Sequence, residues 1–151
     1  MATLSEQKPL ILNPAEDLHA RAIARLQSES VGWFVSIRSD GFPHAVPVWF
    51  LWHNDEILVL SEPGAVKVRN VRGNGKVVLH LEAGADEEQL TVLQGIATID
   101  AEPTLAWVDR IGEEYGQKYA SGLAHLKLTM HTMAEQYSTV LRIVPTKLTA
   151  W

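Results

Sequence analysis

The sequence predicts a mainly β protein, with six antiparallel strands closing into a small barrel and helices at its periphery. From Val31 onward apolar residues recur at every second position in short segments, and Gly, Pro, Asn and Asp punctuate those segments. Helical spacing is confined to the N-terminal region, a short stretch after Pro63 and the region after Pro103. With 151 residues, 46% of them hydrophobic, the chain is expected to fold as one domain, 1–151, with an N-terminal helix at about 14–28 and the barrel at about 31–144.

The first helix is signalled by Asn13-Pro14-Ala15-Glu16, an N-cap side chain, a proline and a first-turn carboxylate. Leu18, Ala22 and Leu26 form its apolar face, and Ser28 to Ser30 end it. The first strand follows, with Trp33, Val35 and Ile37 pointing one way, and Asp40-Gly41 offers a hairpin turn. The second strand, Pro43 to Trp52, is apolar on both faces, so both are expected to be covered by protein or ligand. Pro47 lacks a backbone donor and marks a bulge or an edge there. His53 to Asp55 turns the chain into a third strand, Glu56 to Leu60, and a short helix runs from Ser61-Pro63 to about Arg72 with Val68 and Val71 inward. Gly73 and Gly75 release the chain into a fourth strand, Val77 to Glu82. An acidic loop, Asp86-Glu87-Glu88, leads to a fifth, Gln89 to Asp100, where Gly95 suggests a bulge or close backbone approach. Leu105, Val108, Ile111, Tyr115 and Tyr119 have helical spacing, a second helical stretch spans about Leu126 to Glu135, and Tyr137 to Val144 reads as the sixth strand.

Charge supplies the clearest functional signal. Lys67, Arg69, Arg72 and Lys76 place four cations and no anion in ten residues of a chain whose net charge is −5. A phosphate backbone is neutralised by a broad basic face, so this island argues against nucleic acid and for a small anion. Taken alone, such a cluster on a short helix is a solvated face, and the tryptophans Trp33, Trp49, Trp52, Trp107 and Trp151 are core or interface residues. The absence of cysteine removes disulfides, thiolate metal sites and a thiol nucleophile, and fits a reducing, cytoplasmic compartment. Met1 to Leu12 lacks the basic start and apolar core of a signal segment, and no apolar run nears the roughly 18 residues of a membrane span, so no membrane partner is expected.

Enzyme signatures are sparse. The chain has no G-x-S-x-G elbow, no phosphate-loop motif and no H-E-x-x-H helix. The G-x-G of Gly73-Asn74-Gly75 stands between a helix and a strand, the reverse of a dinucleotide fingerprint. His19, His44, His53, His80, His125 and His131 show no ligand spacing, so no metal is expected, and no side chain is assigned a catalytic role. A reaction on such a scaffold would be carried by a cofactor.

The order of these segments carries a resemblance. A D-G-x-P hairpin, a long apolar strand, a short strand ending in Ser61, then Pro63-Gly64 and Lys67-x-x-Asn70, then a strand, resembles the pyridoxamine 5'-phosphate oxidase-like FMN-binding split-barrel family. The likeness covers Val31 to Asp100 and is most similar to the deazaflavin (coenzyme F420)-dependent reductase branch. It implies a six-stranded split β-barrel of Greek-key type, a homodimer with cofactors between subunits, and hydride transfer to a small reducible molecule. The resemblance also implies that Lys67 holds the cofactor phosphate with help from Ser61, that Val46, Pro47, Val48 and Trp49 line the ring, and that Arg69, Asn70 and Arg72 belong to the basic stretch. FMN is the alternative cofactor, and a non-catalytic flavin-, haem- or tetrapyrrole-binding module is the alternative function. The tail, Pro145 to Trp151, has no arginine–histidine pair, so oxidation of pyridoxamine phosphate is not carried over. Val66 stands where that family's oxidases usually place an arginine.

Overall fold

This computed structural model describes residues 7–151, so the first six residues of the Met1–Leu12 segment and of the 1–151 span lie outside the described residues. The chain runs α1 (Asp17–Ser28), β1 (Gly32–Ile37), β2 (Pro43–Val48), β3 (Leu51–His53), β4 (Glu56–Ser61), α2 (Val66–Gly73), β5 (Lys76–His80), β6 (Thr91–Ile99), α3 (Thr104–Lys118), α4 (Ala120–His125), α5 (Met130–Gln136) and β7 (Thr139–Ala150). The strands form one antiparallel sheet of seven, in the order β2-β1-β5-β6-β7-β4-β3.

Seven strands replace the six expected because the segment from Pro43 to Trp52 is two strands. Trp49 and Phe50 belong to neither, and the strands on either side, β2 and β3, lie at opposite edges of the sheet. Three Cα–Cα steps separate Val48 from Leu51, a reach of at most about 11 Å. The sheet must therefore curl until its two edges nearly meet, which produces the half-barrel.

Phe50 is left outside the strand ladder, and a buried backbone amide and carbonyl need partners. The end of α3 supplies them. The Tyr119 hydroxyl accepts from the Phe50 N–H at 2.8 Å and has the carbonyls of Phe50 and Ser30 each at 2.8 Å for its own proton. Lys118 Nζ donates to Phe50 O at 2.9 Å and to Leu26 O at 3.2 Å.

Two cores flank the curled sheet. Inside the barrel, Phe34, Phe50, Val59, Leu79, Leu93 and Ile143 pack with Ala22 and Leu26 of α1 and with Val68 and Val71 of α2. Outside it, Leu51, Leu58, Leu60 and Val140 meet Trp107, Ile111, Tyr115 and Tyr119, with Leu123 and Met133. β4 contributes to both, which is why its residues from Ile57 to Ser61 are all buried.

Local predictions fail where tertiary packing competes. Asn13 Oδ1 accepts from Ala15 N at 3.0 Å, so Asn13 caps a turn, and helix α1 starts later, at Asp17, with Glu16 as N-cap. On α3 the inward residues are Thr104, Trp107, Ile111 and Tyr115, whereas Leu105 faces solvent. The stretch expected from Leu126 starts at Met130, where Thr129 and Thr132 form a capping box. Gly95 meets its expectation: the β6–β7 register shifts between Gln94 and Gly95, and a Cβ there would lie 2.7 Å from Val144 O. Pro47 occupies an edge strand, where its missing donor costs no ladder bond.

Candidate functional site: a cavity beside the strand crossover

The crossover between β2 and β3 forms one wall of a cavity of about 210 Å³. Pro47, Val48 and Trp49 come from the crossover, Leu60 from the end of β4 and Lys67 from the first turn of α2. The opposite wall is built by the helical layer, from Tyr115 on α3, Leu126 and Leu128 before α5, and Met133 and Tyr137 at α5. Pro47 and Leu126 are exposed and Tyr115 is fully buried, so the cavity runs inward from solvent toward α3.

Trp49 is held by Tyr119 and by α4. Its ring stacks on Tyr119 with centroids 4.5 Å apart and planes 7° from parallel. Close approach of α4 completes the seat, because a Cβ on Gly122 would lie 2.6 Å from the indole. Tyr119 is itself held at the crossover backbone, so the indole orientation follows from the same bonds that serve Phe50.

Lys67 is the cation of this cavity. Burial lowers its pKa below the usual lysine value, and the nearby Glu62 carboxylate partly offsets that. Glu62 is also approached by Gln136 Nε2 at 3.4 Å. A partly desolvated ammonium beside apolar walls favours an arriving anion more than a solvated one does.

The nine residues singled out from the sequence separate into groups. Pro47, Val48, Trp49 and Lys67 meet at the cavity. Val46 packs against the core inside the barrel. Ser61 is buried at the end of β4, where its Oγ donates to Glu62 O at 2.9 Å. Asn70 is buried on the inner side of α2, with Nδ2 donating to Ser36 Oγ at 3.1 Å, and with Arg69 it lines a separate depression beside Arg38. Arg72 is exposed. No individual residue of the helical wall was singled out, Tyr115 included, although the Tyr115–Tyr119 spacing placed both tyrosines on one helix face.

Flat apolar walls with a single cation fit a planar ring bearing a phosphate, and the half-buried Lys67 would face that phosphate. Among the described residues no cluster of three or more His, Asp or Glu stands ready for a metal, and no helix is long and apolar enough to cross a membrane.

Known proteins share this architecture. The sequence profile described as pyridoxamine 5'-phosphate oxidase matches residues 18–151. No curated protein matches the chain. Among solved structures, a conserved hypothetical protein from Mycobacterium tuberculosis superposes with a TM-score of 0.72 at 23% identity, over 87% of this chain and 82% of that one. The heme storage protein HutZ from Vibrio cholerae gives 0.66 at 15% identity, over 93% and 95% of the two chains. An F420 reductase gives 0.63 at 17% identity, over 83% and 94%. At these identities the likeness is one of fold.

Proposed function

The chain belongs to the pyridoxamine 5'-phosphate oxidase family, and from that premise we propose that it is an oxidoreductase that binds the deazaflavin coenzyme F420 and reduces a small organic acceptor. The convergence of Pro47, Val48, Trp49 and Lys67 on one cavity carries this reading. Lys67 pairs with the cofactor phosphate. Pro47, Val48 and Trp49 lie along the ring and keep water from it. When bound, the deazaflavin supplies the hydride, so the chain needs to bind, orient and desolvate rather than provide a nucleophile. FMN is the second reading, since it also joins a phosphate to a flat ring. Binding without turnover of an acceptor would identify the non-catalytic module, a flavin, haem or tetrapyrrole carrier, instead.

Two copies of the chain complete the site in this proposal. β2 is an edge strand whose Ala45 and Pro47 are exposed, and Pro47 also borders the cavity, so a second subunit on that side would cover the ring.

Parallel titrations with coenzyme F420 and with FMN test the reading, with Lys67→Ala as the partner variant. F420 is expected to bind more tightly, and Lys67→Ala to weaken binding by roughly 1.5–3 kcal/mol, the scale of a charge-assisted hydrogen bond, while the melting temperature stays close to wild type. Tighter binding of FMN would reverse the order of the two cofactors. Unchanged affinity in Lys67→Ala would remove the phosphate role.

A further inference from the structure

One buried residue bordering the cavity carries a polar group that the phosphate and ring contacts leave unused. Tyr115 is fully buried at 0% exposure, lines the cavity, and its hydroxyl has no hydrogen-bond partner among the described residues. The contrast with Tyr119 is local: the two rings are 4.8 Å apart, yet the Tyr119 hydroxyl has three backbone partners. A buried hydroxyl without a partner destabilises the fold, and phenylalanine would fill the same space without that penalty. A tyrosine here is explained if the missing partner arrives with a ligand.

We propose that Tyr115 donates a hydrogen bond to a carbonyl oxygen of the ring seated against Trp49, so that the cavity selects planar aromatic carbonyl compounds over hydrocarbons of the same shape. This assignment rests on the cavity being the ring-binding site, and it applies to any carbonyl-bearing ring that occupies it. Among the other lining side chains only Lys67, Tyr137 and the indole N–H of Trp49 can donate a hydrogen bond, so a ligand atom at the inner end has few alternatives. A carbonyl suits the position better than a ligand hydroxyl, which would bring a further donor into apolar surroundings. Burial, with Tyr119 and Tyr137 nearby, pushes the Tyr115 phenol well up, which keeps its proton in place as a donor through neutral pH.

The test uses the whole chain, wild type and Tyr115→Phe, with 1,4-naphthoquinone and naphthalene as probes of matched shape, read by ligand-detected NMR. The chain has no cysteine, so no thiol is present for the quinone to arylate. Wild type is expected to bind the quinone about ten-fold more tightly than naphthalene, the scale of one hydrogen bond to a donor otherwise unpaired. Tyr115→Phe is expected to bind the two equally and, without ligand, to melt no lower than wild type. The proposal is overturned if wild type shows no quinone preference or no quinone binding. It is equally overturned if the preference survives in Tyr115→Phe, or if that variant melts well below wild type, which would give the hydroxyl a structural role. Titrating both proteins with coenzyme F420 and FMN separates the two readings. If neither cofactor binds while the quinone preference holds and is lost in Tyr115→Phe, the cofactor reading fails and Tyr115 keeps its role. If a cofactor binds both proteins equally and the quinone preference survives in Tyr115→Phe, the Tyr115 assignment fails alone.

Discussion

Gly122 sets the position of the Trp49 indole by what it lacks. A Cβ at that point would stand 2.6 Å from the ring, closer than carbon atoms approach, so Gly122→Ala forces the indole or α4 to move. Helix propensity alone predicts the opposite, a gain of about 1 kcal/mol for alanine over glycine. Overpacking is expected to win, with a net loss of about 1–3 kcal/mol in chemical denaturation and weaker binding of the ring. A Gly122→Ala variant as stable as wild type, with unaltered ring affinity, would show that Trp49 has room to adjust. At this scale the sequence was partly legible. Lys67 stands out as part of a basic island on an acidic chain, whereas its phosphate role and the place of Trp49 beside the ring were implied by the family resemblance. Tyr115 was missed because a tyrosine at helical spacing reads as core, and only the docking of its helix places it at the border of the cavity. Asn70, placed in the basic stretch by the same resemblance, turns inward to Ser36 because α2 packs that side on the barrel.

The last turn of α3 acts as a clamp on the strand crossover. Lys118 bridges Phe50 O and Leu26 O, with its ammonium 3.8 Å from the Phe50 ring centroid. Burial lowers its pKa to about 8, against the raising influence of Glu114 and Glu29. The unfolded chain therefore holds a proton on this amine that the folded chain releases between pH about 8 and 10.5. Where the unfolded state binds more protons, stability rises with pH, so the Lys118 contribution grows across that window. Below it, the amine is charged in both states and the folded state carries the cost of desolvating it. The neutral amine keeps donors for both carbonyls, so the clamp survives deprotonation. Lys118→Met is expected to destabilise at every pH by leaving two carbonyls unpaired, about 1–3 kcal/mol. The gap in melting temperature between wild type and Lys118→Met should be wider at pH 9.5 than at pH 7; a gap that narrows as pH rises would refute the lowered pKa. Elements were legible in existence more than in extent. The strand periods survived because alternation reports a half-buried sheet, whereas the inward face of α3 is chosen by the sheet it packs on, which brings Trp107 in and leaves Leu105 out.

One side of the curled sheet carries the helical layer, and another stretch of the same outer surface has no layer of its own among the described residues. Trp33, Val35 and Ile37 on β1 line up there with Ala45 and Pro47 on β2 and with Val78 and His80 on β5, and all of these are exposed or half-buried. An apolar face of this kind is the expected seat of the second subunit. The chain is expected to sediment as a dimer at micromolar concentration, and Val35→Asp to yield folded monomer with weakened cofactor binding. A wild-type monomer that binds cofactor at full affinity would remove the partner from the site. The sequence by itself determined the strand and helix periods, the turn at Asp40-Gly41, the acidic charge with one basic island, and the order of segments that places the chain in its family. These are properties of neighbouring residues, and chain connectivity preserves them. Only the tertiary structure decided that Pro43 to Trp52 is two strands at opposite sheet edges, which side of the barrel each apolar residue faces, and which helix meets Trp49. Those outcomes depend on closure of the sheet, where hydrogen bonding at the two edges and burial on both faces of β4 are settled together by residues far apart in the chain.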